Sequence, residues 1–480
     1  MLDSDLIADT ALGRAQGLWA ASGVRAWRGL PYAAPPVGQR RFRAPEPPAP
    51  WAGVRDATAF GPDLPQPPLP PSRAPGQSED GLFLNVWSPA GARSLPVMVW
   101  IHGGGFVGGS GADARSDGTA LASRGVVVVS FNYRSGVFGF LAHPDLAAES
   151  PQGTSGNVGL LDQLAALRWV REHIAAFGGD PAQVTVFGVS AGSASIALML
   201  TMPAAAGLFH RAILHSPGCG RPLATRRDAE AAGAALGLSL RELRALPAAD
   251  VLALTSRLNP AMRGLTTPRV LRPIHDGLRV PDDEREAWAA GRLRPMPLIV
   301  GTNADEGALL TRSWPLATPA DHAAVIRANF PGAEDEALAL YPRVPEAFAD
   351  TQFNAGARAL LRAMARTGAP CWRYRYTRRR PGATDGPHHG DEVGTVFGNL
   401  DAGRGGQPEP FDDTDRRVSD SMQAAWVRFA TAVDPGPHWP RFTASDEPLL
   451  DFGDRIAVAT DPLAARLDFI DRYQARTSAA

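Results

Sequence analysis

Lysine is absent from this sequence: all 48 basic residues are arginine, set against 49 acidic residues for a formal net charge of −1. So balanced a chain has no excess of one sign to draw it toward nucleic acid or an anionic membrane. With 50 glycines, 44 prolines and much alanine, the choice of arginine reads as compositional bias rather than as chemistry. Cysteine is nearly absent as well. Cys219 and Cys371 are the two present, which excludes a disulfide framework, and neither sits in metal-ligand spacing. Buried, inert thiols are the expectation. No apolar run approaches the ~20 residues that span a bilayer. The start, Met1-Leu2-Asp3-Ser4-Asp5, lacks the basic and then apolar regions of a secretory signal. These features predict a soluble, cytoplasmic protein with no nucleic-acid or membrane partner.

What is present is a large core and an alternation of element types. The chain has 480 residues, 44% of them hydrophobic, which suits one large α/β domain spanning 1–480. Apolar runs predict strands at Val97–Ile101, Val126–Asn132, Val184–Phe187, Ala212–His215, Leu298–Gly301 and Trp372–Thr377. Runs this uniformly apolar suit strands covered on both faces. Between the second and third, Leu160, Leu164, Leu167, Val170 and Ile174 recur at helical spacing, so Leu160–Phe177 reads as a helix stopped by Gly178-Gly179-Asp180-Pro181. The alternation predicts an α/β fold with a mainly parallel sheet flanked by helices. The stretch Gly61–Gly76 carries prolines at 62, 65, 67, 68, 70, 71 and 75 and is expected to be an irregular surface loop. The Ala- and Arg-rich region 225–290 is expected to form helices outside the sheet. Arg378-Arg379-Arg380 reads as a solvated strand end or turn.

Two motifs carry chemistry. Gly188-Val189-Ser190-Ala191-Gly192 follows the strand Val184–Phe187 and precedes the small, apolar Ser193–Leu200. Strand, Gly-x-Ser-x-Gly and helix is the context of a nucleophile elbow, whose turn is tight enough to demand glycine at both flanks. His102-Gly103-Gly104-Gly105-Phe106 directly follows Val97–Ile101. Three glycines let main-chain amides converge on one point, as an oxyanion hole requires. The expected donors are Gly104, Gly105 and Ala191, with His102 supporting the loop. A serine hydroxyl needs a base and an acid, which follow it along the chain in this arrangement. Asp305 and Glu306, in the loop after Leu298–Gly301, are both candidates for the acid, and spacing does not choose between them. The histidines beyond them are His322, His388, His389 and His438. His388 and His389 sit on a Gly-rich loop following Trp372–Thr377, His322 lies in an Ala-rich helical stretch where a surface histidine is the commoner case, and His438 lies in a Pro/Gly turn near Trp439.

Further motifs extend over most of the chain, from Gly17 to about Phe442. They include Arg28-Gly29-Leu30-Pro31-Tyr32-Ala33, Ser78-Glu79-Asp80-Gly81-Leu82-Phe83-Leu84-Asn85-Val86 and Asn132-Tyr133-Arg134. Gly156-Asn157-Val158-Gly159-Leu160-Leu161-Asp162-Gln163, Phe177-Gly178-Gly179-Asp180-Pro181, Val396-Phe397-Gly398-Asn399 and Trp426-Val427-Arg428-Phe429-Ala430 continue the series. Together they resemble the type-B carboxylesterases, the family of bacterial para-nitrobenzyl esterases, animal carboxylesterases and cholinesterases. The resemblance implies an α/β-hydrolase fold with large helical insertions, no cofactor and no metal, and an ester and water as reactants. It places the acid on Glu306 and the base on His389, with Glu392 and Ser216 as supporting residues. Two departures stand out. The family usually has Glu where this chain has Val189, so a preference for cationic substrates is not expected and neutral aryl or alkyl esters are. The family's first disulfide would fall on Leu64 and Gly81, both without sulfur, which fits a reducing compartment. A carbamate or anilide hydrolase would use the same triad. A non-catalytic binding protein of this fold would be expected to lack the nucleophile. No amphipathic lid marks a lipase. A monomer or small homo-oligomer is expected.

Overall fold

The computed structural model describes residues 3–21, 23–68, 72–260, 264–265, 267–404 and 407–478. In chain order its strands are β1 (Ile7–Thr10), β2 (Gly13–Gln16), β3 (Leu18–Ala21), β4 (Val24–Pro31), β5 (Val54–Asp56), β6 (Phe83–Pro89) and β7 (Leu95–Ile101). They continue with β8 (Val127–Phe131), β9 (Gly179–Val189), β10 (Arg211–His215), β11 (Leu298–Asn303), β12 (Cys371–Tyr376), β13 (Leu449–Phe452) and β14 (Ile456–Ala459). All six apolar runs singled out above are strands of one sheet. Val97–Ile101, Val127–Phe131, Val184–Val189 and Leu298–Val300 are buried throughout, because helices cover both faces of the sheet they form.

That sheet has eleven strands in the order β14-β13-β12-β11-β10-β9-β7-β8-β6-β4-β3, and β1, β2 and β5 form a separate small sheet. The pairs from β8 through β13 are parallel, and antiparallel pairs flank them on both edges. From β7 the chain goes to β8 on one side, then crosses to β9 on the other. The crevice between β7 and β9 is therefore a topological switch point, where ligands of open α/β sheets bind beyond the carboxyl ends of the strands. The register aligns those ends: Ile101 opposes Gly188, and His215 opposes both Val189 and Gly301.

The crossover from β8 to β9 is the helix Val158–His173, continued by one tighter turn, Ile174–Phe177. Leu160, Leu164, Leu167, Val170 and Ile174 are all fully buried, so the helical period marks the face on the sheet. Its stop is Gly178 alone, at φ 85°. Gly179, Asp180 and Pro181 belong to β9, where Gly179 pairs with Leu95 across a register shift.

Two expectations need correcting. Arg378 is not a solvated strand end: it is buried, and its guanidinium pairs with Asp415 and Asp412 at 2.8 Å and Asp454 at 2.7 Å. The proline-rich stretch is not a free surface loop either. Residues 69–71 lie outside the described residues, but Asp63, Leu64 and Gln66 are buried. Gln66 clamps Gly109, donating to its carbonyl at 2.9 Å and accepting from its N–H at 2.6 Å. Ser110 Oγ donates to Asp63 Oδ1 at 2.5 Å. The prolines leave few backbone donors, and polar side chains make the connection instead.

Candidate active site

Ser190 closes the turn between β9 and the helix Ala191–Met199, whose residues are all buried. Its backbone is held at φ 56°, ψ −117°, a region a non-glycine residue occupies only where its surroundings force it. Here the Ser190 N–H donates to His215 O at 2.9 Å, and Ser190 O accepts from Ala194 N at 2.8 Å. A Cβ on Gly192 would lie 2.0 Å from Ile101 O, so the helix start reaches β7 only because that side chain is missing.

The loop after β7 curls above the same crevice. Gly104 has φ 120°, and a Cβ there would meet Gly108 O at 2.0 Å. The N–H groups of Gly104, Gly105 and Ala191 donate to no carbonyl among the described residues. His102 is buried behind them. Its Nδ1 faces Gly103 O at 2.8 Å and so carries the proton. Its ring stacks on Tyr133 at 4.3 Å, and Tyr133 Oη donates to His102 O at 2.9 Å. Burial lowers this imidazole to about 4, although the Gly103 carbonyl acts the other way. His102 is thus neutral near pH 7 and braces the loop.

Glu306, 1% exposed, follows β11. Its Oε2 meets His389 Nδ1 at 2.5 Å. Its Oε1 accepts from Ser216 Oγ and from Asn303 N, each at 2.5 Å. A carboxylate only accepts, so the proton of His389 sits on Nδ1 and Nε2 is left as the basic nitrogen. That Nε2 is buried with no hydrogen-bond partner among the described residues, and His389 and Ser190 line one cavity. No hydrogen bond joins the two side chains among the described residues. Phe353 lies against the imidazole with ring centroids 4.3 Å apart. The neighbouring pair is separate: His388 Nδ1 faces Asp305 Oδ2 at 3.3 Å, and neither residue lines the cavity. His322 accepts from Val344 N at 3.1 Å, and His438 is exposed.

Glu392 is fully buried and accepts from Asn303 Nδ2 at 2.5 Å. Burial pushes its carboxyl up, but His215, Asn303 and His389 together bring it below its ordinary value. His215 Nδ1 stands 3.6 Å from it, while Trp426 Nε1 donates to His215 Nε2 at 3.1 Å. Asn303 thereby joins two acids, its N–H on Glu306 and its side chain on Glu392. Sequence reasoning did not single out His215 or Asn303, although both sit at strand ends flanking residues that it did.

The cavity above Ser190 has a volume of about 780 Å³. Gly104, Gly105, Val189, Ser190, Ala191 and His389 line its floor. Gln66 and Ser72 reach it from the proline-rich stretch. Its wall also holds Arg115, Arg221, Arg269, Arg272 and Arg404, which sequence reasoning did not place there. Region 225–290 does contain helices, at Arg226–Ala234, Leu240–Ala245, Ala248–Ala253, Thr255–Leu258 and Glu284–Ala289. Residues 267–283, which are not helical, bring Arg269 and Arg272 to the cavity. At the positions of the family's disulfide, a Cβ on Gly81 would lie 2.9 Å from Leu64 Cγ. The two positions remain neighbours, with leucine filling the space.

A mixed sheet with its Gly-x-Ser-x-Gly turn at the switch point defines an α/β-hydrolase. The model of the "Carboxylesterase family" matches residues 4–329 and 319–470. The chain is 44% identical over 476 residues to the "Fumonisin B1 esterase" of Sphingopyxis macrogoltabida, covering 95% of this chain and 87% of that one. It is 39% identical over 487 residues to the "Para-nitrobenzyl esterase" of Bacillus subtilis (strain 168), covering 95% and 96%. Among solved structures it resembles a para-nitrobenzyl esterase with a TM-score of 0.86 at 37% identity, covering 96% of this chain and 99% of that one. A Geobacillus stearothermophilus carboxylesterase gives 0.84 at 35% identity, with coverage of 96% and 99%. The chain belongs to the carboxylesterase family and is a carboxylic ester hydrolase.

Proposed function

We propose that this enzyme hydrolyses carboxylic esters through an acyl-enzyme on Ser190, with His389 as general base and Glu306 as the acid that orients it. Ser190 Oγ attacks the ester carbonyl as His389 Nε2 takes its proton. Glu306 holds the Nδ1–H tautomer and stabilises the imidazolium that forms. The tetrahedral oxyanion lies against the amides of Gly104, Gly105 and Ala191, each such donor lowering the barrier by about 3–4 kcal/mol. His389 returns the proton to the departing alcohol, and water repeats the sequence on the acyl-enzyme. Val189 gives the leaving-group side an apolar wall with no charge to favour a cation. The observation that carries the reading is the buried Glu306–His389 contact of 2.5 Å, opening on the cavity that Ser190 and the undonated amides share. The unpaired Cys219 and Cys371 support a place in the reducing cytoplasm.

A panel of para-nitrophenyl esters of increasing acyl length, with an aryl carbamate and an anilide of matched size, tests this function. Ester turnover should dominate. Faster turnover of the carbamate or anilide would replace the ester reading.

A further inference from the structure

The acid and the base sit on different loops. Glu306 follows β11, whose last residue is Asn303, and His389 lies on the loop after β12. The contact of Glu306 with His389 Nδ1 and the Phe353 ring constrain the imidazole, but not the main chain that carries it. Where Nε2 points depends on that main chain, which is held at three successive carbonyls. Asp305 N donates to Pro387 O at 3.0 Å, Asn303 Nδ2 to His388 O at 2.7 Å, and Arg404 Nη2 to His389 O. The first of these uses a backbone N–H, which almost any residue would supply. The second needs asparagine.

The same Nδ2 donates its other hydrogen to Glu392 Oε2 at 2.5 Å, three residues beyond His389. One NH2 group therefore spans the base, from the residue before it to the acid after it. Both partners can only accept, so both hydrogens are committed and the amide has one orientation. Asn303 is 1% exposed, and water cannot readily replace a donor there. Its own N–H holds Glu306 Oε1 at 2.5 Å. Beyond Glu392 the connection continues: His215 Nδ1 stands 3.6 Å from Oε1, and His215 O accepts from Ser190 N at 2.9 Å. Asn303 thus links the acid, the loop of the base and, through Glu392 and His215, the turn of the nucleophile.

We propose that Asn303 is a positioning residue of the reaction: its amide, bridging His388 O and Glu392, sets the main chain of His389 so that Nε2 faces Ser190. This rests on the roles proposed for Ser190, His389 and Glu306 in ester hydrolysis.

A second asparagine supplies the control. Asn157 is also fully buried, and its Nδ2 likewise donates to one carbonyl, Ile274 O at 2.9 Å, and one carboxylate, Asp276 Oδ2 at 3.0 Å. It does not line the cavity. Its φ of 56° makes alanine there at least as costly to the fold. Asn303→Ala and Asn157→Ala should therefore both lower the melting temperature. With 4-nitrophenyl butyrate, Asn303→Ala should lose about thirtyfold in kcat with KM within about threefold, as a misplaced base requires. Asn157→Ala should keep kcat within about twofold. Asn303→Thr, which suits a strand and keeps one donor, should fall between Asn303→Ala and the wild type, and it replaces Asn303→Ala if that variant does not fold. On a His389→Ala background the same Asn303 substitution should change the residual rate by less than about twofold, because an effect exerted through the imidazole vanishes with it. A wild-type kcat in the Asn303 variants, an equal kcat loss in Asn157→Ala, or an undiminished effect without His389 would overturn the positioning role alone. A wild-type enzyme that hydrolyses no ester would overturn the ester-hydrolase reading and the positioning role with it.

Discussion

Replacing Glu306 by glutamine keeps its size and removes its charge, and the structure dictates which way the new amide points. Oε1 accepts from Ser216 Oγ and Asn303 N, both at 2.5 Å. Two donors converge there, so the amide oxygen must take that position and the NH2 must face His389 Nδ1. A donor opposite Nδ1 forces that nitrogen to accept, which moves the imidazole proton to Nε2. The imidazole would then present a proton to Ser190 instead of a lone pair. An amide in place of the triad acid costs about 10⁴-fold in kcat when it imposes the wrong tautomer, equivalent to roughly 5–6 kcal/mol of barrier. Stability should change far less. The hydrogen bonds to Oε1 survive, and the charge-assisted contact to His389 is worth about 1.5–3 kcal/mol. The assay is kcat on a short-chain para-nitrophenyl ester beside a melting curve for Glu306→Gln. Asp305→Asn and His388→Ala, which alter the pair outside the cavity, serve as comparisons. A Glu306→Gln enzyme within tenfold of the wild type, or an equal loss in Asp305→Asn, would refute the assignment of tautomer control to Glu306.

Other perturbations probe the surroundings of the reaction. Gln66→Leu removes both hydrogen bonds to Gly109 and should cost about 1–3 kcal/mol of stability; kcat should fall about tenfold as the oxyanion loop loosens, and an unchanged kcat would separate the clamp from the loop. Val189→Glu puts a carboxylate on the cavity floor and should move the ratio of kcat/KM for a choline ester over its 3,3-dimethylbutyl isostere toward choline, from a wild-type value at or below one. A strong choline preference in the wild type would contradict this. Burial holds the Cys219 thiol well above its ordinary value and raises Cys371 to about 12, so neither should react with a thiol reagent at pH 8 in the native protein. Both should titrate in denaturant, and reductant should leave the melting temperature unchanged; a Cys219–Cys371 bridge would refute this.

The parts of the fold legible in sequence are those whose environment is uniform. Strands β7 to β12 are covered on both faces or nearly so, and their apolar runs mark them. β14 has no buried residue and carries no such run. The first half of β9 was hidden because Gly179-Asp180-Pro181 has turn composition, yet Gly179 pairs with Leu95. Local motifs point to the elbow and to the candidate oxyanion loop because the residues of each are contiguous. The choice between His388 and His389 is not local: it depends on which acid each ring meets, Asp305 or Glu306. The place of Arg221 in the cavity is less local still, since it meets a glutamine 131 residues further on. Several motifs behind the family resemblance are scaffold rather than site. Arg134 and Asp162, from separate motifs, form a buried ion pair at 2.6 Å.

The central claim, that Ser190 is the nucleophile of an ester hydrolase, is tested most directly by labelling. A fluorescent organophosphonate should modify the native enzyme at one residue, Ser190, with a stoichiometry of about one and loss of ester hydrolysis in proportion. Ser190→Ala should fold with an unchanged melting profile, take up no label and lose activity by several orders of magnitude. Stoichiometric labelling at another serine, or a Ser190→Ala enzyme that still hydrolyses esters at a comparable rate, would contradict the account.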